Sequence, residues 1–98
     1  MQRIPIEPGR VVLSRQGRDA GRYFVILSQL DEQFVLMADG LTRKLDHPKK
    51  KKIKHVRAKP FLLDLNQSFP SGHMLDSDLR SFLEKNGFGL IQPLCKED

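Results

Sequence analysis

Ninety-eight residues, 39% of them apolar and 30% charged, make one small domain near the lower limit of what a single hydrophobic core holds together. The formal charge of +5 is concentrated: residues 1–42 net zero, residues 43–60 net +8 and residues 61–98 net −3, so the positive field comes from one segment and points to a polyanionic partner. The single cysteine, Cys95, excludes an intramolecular disulfide framework, no apolar run is long enough to span a bilayer, and the opening "MQRIPIEPGR" has no leader-like apolar stretch. The expectation is a soluble, cytoplasmic protein that makes no use of a membrane.

Short β-rich runs separated by Gly and Asp follow one another from residue 10. "EPG" precedes "RVVLS"; "RQGRDAG" leads to "RYFVILSQL"; "DEQ" leads to "FVLMA"; and "DG" leads to "LTRKL". This punctuation predicts a small all-β sandwich or barrel. Asp39-Gly40 is the sharpest local signal, because a two-residue hairpin turn needs positive φ. Phe24 and Ile26 alternate with Tyr23, Val25 and Leu27, so the second strand is apolar on both faces and its outer face needs a cover.

The C-terminal part supplies that cover. "HMLDSDLRSFLEKNG" spaces Leu75, Leu79, Phe82 and Leu83 as a narrow helical stripe. Asp76 or Ser77 is placed to cap its start, and Asn86-Gly87 to end it in a left-handed stop. Between barrel and helix, "AKPFLLDLNQSFPSG" reads as an extended connector with Phe61, Leu63 and Leu65 turned inward.

The segment "RKLDHPKKKKIKHVRAKP" holds nine of the seventeen Lys and Arg residues. Lys49, Lys50 and Lys51 read as a loose loop in the free protein. Ile53 and Val56, three apart, fit a short 3₁₀ turn or bulged last strand that buries both and leaves Lys52, Lys54 and Arg57 outward. The basic block is then tethered to the barrel at its downstream end.

The stretch "GRVVLSRQGRDAGRYFVILSQLDEQFVLMADG" resembles the KOW motif, with Gly17 and Gly21 at its glycine positions and Val11, Leu13 and Val25 at its alternating apolar positions. Its continuation "LDEQFVLMADGLTRKL" is similar to the archaeal and eukaryotic large-subunit ribosomal proteins of the fourteen-e type, and to small bacterial KOW-domain RNA-binding proteins. The resemblance covers residues 9–59. It implies a mostly β fold, a small SH3-like five-stranded barrel over residues 1–60. Residues 61–98 add a connector and one short α-helix within the same folding unit. It also implies a module that binds structured RNA, ribosomal RNA first; a non-catalytic role, ribosomal proteins as further partners and a monomeric free chain are the accompanying expectations. By position, the motif's loop falls on residues 15–22.

The residue chemistry leads the same way. Gly17 and Gly21 let the backbone approach a phosphate without a Cβ in the way, and guanidinium forks suit bidentate phosphate contact. Lysines that neutralise phosphates drive binding through counterion release. The expected RNA contacts are Arg15, Arg18, Arg22, Arg43, Lys44, Lys49, Lys50, Lys51, Lys52, Lys54 and Arg57. The six Phe residues mostly sit in apolar runs and read as core, and Tyr23 is a weak stacking candidate, so the backbone and shape of folded RNA are the expected targets.

Nothing in the sequence calls for a catalyst, a cofactor or a small-molecule substrate. His47, His55 and His73 have no metal-ligand spacing with one another or with Cys95, and no phosphate-binding loop or nucleophile elbow is present. The competing expectation is a protein-interaction adaptor whose barrel docks on a polymerase or ribosomal protein through the helix stripe. KOW barrels bind proteins as well as RNA, so the fold alone does not choose.

Overall fold

The computed structural model describes residues 4–69 and 72–88. It contains five strands: β1 Arg10–Ser14, β2 Tyr23–Gln29, β3 Phe34–Ala38, β4 Lys49–Lys52 and β5 Val56–Leu62. A 3₁₀ turn, Ile53–His55, joins β4 to β5, and one helix follows, α1 Asp76–Lys85. All pairings are antiparallel in one sheet of order β4-β3-β2-β1-β5. The fold is therefore mostly β with one short helix. Among the described residues no helix is long and apolar enough to cross a membrane. Cys95 lies outside the described residues.

Strand alternation divides the core into two clusters, one on each face of the sheet. Val12, Phe24, Ile26, Val35, Met37 and Val56 pack on one face, with Ile6 and Ile53 against them. Val11, Val25, Ala38 and Leu63 pack on the other, and Leu79 and Leu83 of α1 close over them. Strand β2 is apolar on both faces as its sequence requires, and the helix is the outer cover that its pattern demands. The 3₁₀ turn at Ile53 and the burial of Val56 also match the sequence. Ile53, expected to be buried, is only half-buried against that cluster, and Lys52, Lys54 and Arg57 are exposed beside them.

Several local expectations are corrected. Asp39-Gly40 does not make a two-residue hairpin turn; it opens the connection over residues 39–48, and "LTRKL" is loop rather than strand. The cause is the Asp39 side chain, which is buried. Its carboxylate accepts from the backbone N–H groups of Leu41 and Arg43 at 2.9 Å each and from the Thr42 hydroxyl at 2.7 Å. A carboxylate that collects several local donors competes successfully with a ladder. Gly40 does take the positive φ the dipeptide predicts, 78°.

The fourth strand is instead the lysine run itself. Lys49, Lys50, Lys51 and Lys52 pair in register with Met37, Leu36, Val35 and Phe34, so the run is ordered β-ladder and not a loose loop. Strand β5 runs on through Pro60 to Leu62, so the boundary at residue 60 falls inside a strand. Phe61 is exposed while Leu63 is buried. At the helix start the flanking residue is Leu75, whose N–H donates to Asp78 Oδ2 at 2.8 Å. Asp76 is drawn away from capping: its Oδ1 accepts from the Leu45 N–H at 2.7 Å and ties the 39–48 loop to α1. Gly87, at φ 85°, provides the left-handed stop.

Candidate nucleic-acid interface

The turn between β1 and β2 is shaped from inside by its one acid. Gly17 and Gly21 both adopt positive φ, 91° and 89°, which lets residues 15–22 fold back tightly. Asp19 points inward. Its Oδ1 accepts from the buried Ser14 hydroxyl at 2.7 Å and from Lys51 Nζ at 2.8 Å. Lys51 also donates to the Gln16 carbonyl at 2.6 Å. Lys49 Nζ stands 3.8 Å from Asp19 Oδ2. Strand β4 thus grips the β1–β2 turn through two ammonium groups.

The electrostatics of Asp19 follow from these neighbours. Burial alone would raise its carboxyl, but the hydrogen bonds from Lys51 and Ser14 and the charges of Lys51 and Lys49 outweigh it. The carboxyl is held below its ordinary 3.8. His55 is shifted down by desolvation and then by the ammonium groups of Lys54, Lys52 and Lys51.

With Asp19 turned inward, Arg15, Arg18 and Arg22 are left exposed. Arg18 and Arg22 line an open concavity of about 290 Å³ together with Asp19, Phe24, Thr42, Arg43 and Lys49. Four cations from three parts of the chain converge there: two from the β1–β2 turn, one from the 39–48 loop and one from β4. Only the acid at its wall opposes them, and Lys51 already partners that acid. An anion with several oxygens matches such a set of guanidinium and ammonium groups.

The remaining expected residues lie apart from this concavity. Lys51 is buried, with its ammonium engaged by Asp19 and Gln16, and so acts as a scaffold. Lys50 and Lys52 point to the opposite face of β4 by strand alternation and lie 4.5 and 6.0 Å from the centre of the Phe34 ring. Lys54 follows them on the 3₁₀ turn and shares an open concavity with Glu32, Gln33, Lys52 and Ile53. Arg57 sits on β5, the opposite end of the sheet order, across from Leu13. Arg15 and Lys44 are exposed without lining either concavity; the Arg15 N–H donates to the His55 carbonyl at 2.8 Å.

Two residues of this surface escape the sequence reading. Asp19 appears there only as a member of a basic turn, although it is the one acid in "RQGRDAGR" and that contrast was available. Phe34 reads as core but belongs to neither apolar cluster and is only half-buried. Its partner lysines were not identifiable without the register. Among the described residues no group of three or more His, Cys, Asp or Glu side chains is placed to hold a metal ion. No protein-family model matches the chain.

Proposed function

We propose that this chain is a KOW-type RNA-binding module of the cytoplasm, associated with ribosomal RNA or translation, that grips structured RNA through backbone phosphates. One observation carries the reading: Arg18, Arg22, Arg43 and Lys49, distant in sequence, surround one concavity. Each is exposed or half-buried and so open to a ligand. Lys50 and Lys52 on the opposite face of β4, and Lys54 on the 3₁₀ turn, add a separate group of cations.

The barrel closure that goes with this reading has its own support. Strands β4 and β5 are the two ends of the sheet order. In a flat five-stranded sheet they would lie roughly 19 Å apart, yet only Ile53–His55 separates them, a link that spans at most about 14 Å from Cα to Cα. A curled sheet would satisfy the connection, and this short link supports the SH3-like barrel reading. The adaptor reading relied on the helix stripe for its interface. Leu79 and Leu83 of that stripe are buried against the sheet, so the centre of the stripe is already occupied.

Titrating binding of a structured RNA at several salt concentrations tests the proposal. Contacts with about five phosphates give a log–log slope near −4.5 on a duplex. Reversing Arg18 or Arg43 to Glu weakens binding for all sequences alike and flattens that slope. Affinity that stays level between low and moderate salt rules the reading out.

A further inference from the structure

We infer that Phe34 is a stacking platform for one unpaired RNA base, with Lys50 and Lys52 holding the phosphates on either side of it. This rests on the RNA-binding reading above and names a second element of the ligand, an unstacked nucleotide beside the phosphate grip.

Phe34 opens β3 on the face that α1 covers further along. The cluster on that face includes Ala38 but not Phe34, so the helix-covered core does not reach the ring. Lys52 is its direct cross-strand partner and Lys50 stands diagonally across, beside Leu36. Their ammonium groups rest 6.0 and 4.5 Å from the ring centre respectively, at the limit of and within a cation–π contact.

Phe34 is half-buried with lysines over its ring, and an aromatic ring flanked by lysines suits a single-stranded base: the ring takes the base and the cations take the backbone. The lysines need only rotate aside, exchanging an aromatic face for a phosphate oxygen. Beside this site, Glu32, Gln33, Lys52, Ile53 and Lys54 line an open concavity of about 420 Å³, within the range of small-ligand sites. The Gln33 amide and Glu32 carboxylate there offer both donor and acceptor to a base edge. The neighbouring acids Asp31 and Glu32 keep this face less positive than the Arg18–Arg43 concavity, as suits a site that adds stacking to charge.

The chain has no tryptophan, so Phe34→Trp places a single fluorophore at the platform. Fluorescein-labelled RNAs, a hairpin with a single-stranded loop and a blunt two-strand duplex without a loop, are the probes for anisotropy. Unlabelled copies of the same RNAs report stacking through quenching of the introduced tryptophan. The looped hairpin quenches that fluorophore strongly and the blunt duplex binds with little quenching. Phe34→Ala weakens the looped hairpin about tenfold and leaves the duplex affinity unchanged. Phe34→Leu, which keeps the apolar bulk, behaves like Phe34→Ala and settles the matter should the alanine variant not fold.

Equal affinity of Phe34→Leu and the parent for both RNAs, with no selective quenching, overturns the platform while leaving the phosphate grip intact. Absence of salt-dependent binding to either RNA removes both proposals together.

Discussion

Lys51 Nζ lies 2.8 Å from Asp19 Oδ1 and joins the strand of the basic segment to the turn that carries Arg18 and Arg22. Both side chains are mostly shielded, 8% and 13% exposed, so the pair is a structural joint beneath an exposed cationic surface. Breaking a shielded pair on one side leaves the other charge without its partner. Asp19→Ala and Lys51→Met are each expected to cost about 2–3 kcal/mol of stability. The double variant, Asp19→Ala with Lys51→Met, should lose less than the two single losses combined. Urea unfolding of the parent and the three variants gives the coupling directly.

Acid sensitivity follows from the same carboxylate. The folded value of Asp19 lies below 3.8, its ordinary one. Its contribution to stability is therefore complete above that ordinary value and is lost as pH falls through the lower folded value. Between about pH 5 and pH 2 the parent protein should lose more stability than Asp19→Asn. Asp31, lowered by the N–H groups of Gln33 and Phe34, and Asp46, lowered by its hydrogen bond with His47, remain in both proteins. The difference between the two curves then isolates Asp19, and parallel curves from chemical denaturation would count against the pairing.

The lysine run should come apart into two kinds of residue when it is mutated singly. Lys50→Ala and Lys52→Ala, at exposed positions of β4, are expected to change stability by no more than about 0.5 kcal/mol. Each should also lower the salt slope of RNA binding by about one. Lys51→Ala should destabilise the fold by about 2–3 kcal/mol and reduce RNA affinity only by disturbing the turn. Thermal unfolding set beside salt titrations separates these classes.

Glycines at positive φ should differ according to what surrounds them. Gly9, at φ 93°, has the Leu63 carbonyl where a Cβ would sit. It is also held by hydrogen bonds of 2.7 Å from its N–H to the Ile26 carbonyl and from the Leu63 N–H to its own carbonyl. Gly21 has nothing within 4 Å of that position. Gly21→Ala should therefore cost only the left-handed backbone penalty, about 1–2 kcal/mol. Gly9→Ala meets backbone that cannot yield and should lose markedly more, with a correspondingly lower melting temperature in calorimetry.

Where the sequence was legible, a short-range rule was enough. The period-two alternation of β2 predicted two faces. Of the expected stripe, Leu79, Phe82 and Leu83 pack in the cluster on one of them, while Leu75 flanks the helix start and is exposed. Ile53 and Val56 predicted the tether after the lysines. It misled where a side chain overrode a local preference. Asp39 gathers three donors and turns a nominal hairpin into a loop, and Asp76 leaves the helix cap to hold Leu45.

Composition by itself determined that this protein concentrates its positive charge in one segment, and alternation by itself determined that β2 is buried on both sides. Only the tertiary structure decided what each cation does. Four consecutive lysines are identical to any rule of composition, but in a strand successive side chains point to opposite faces. Register with β3 therefore sends Lys51 inward to Asp19, Lys49 to the concavity shared with Arg18, Arg22 and Arg43, and Lys50 and Lys52 to Phe34. The contacts that separate these roles join residues roughly thirty positions apart or lie across paired strands, beyond the reach of any local pattern.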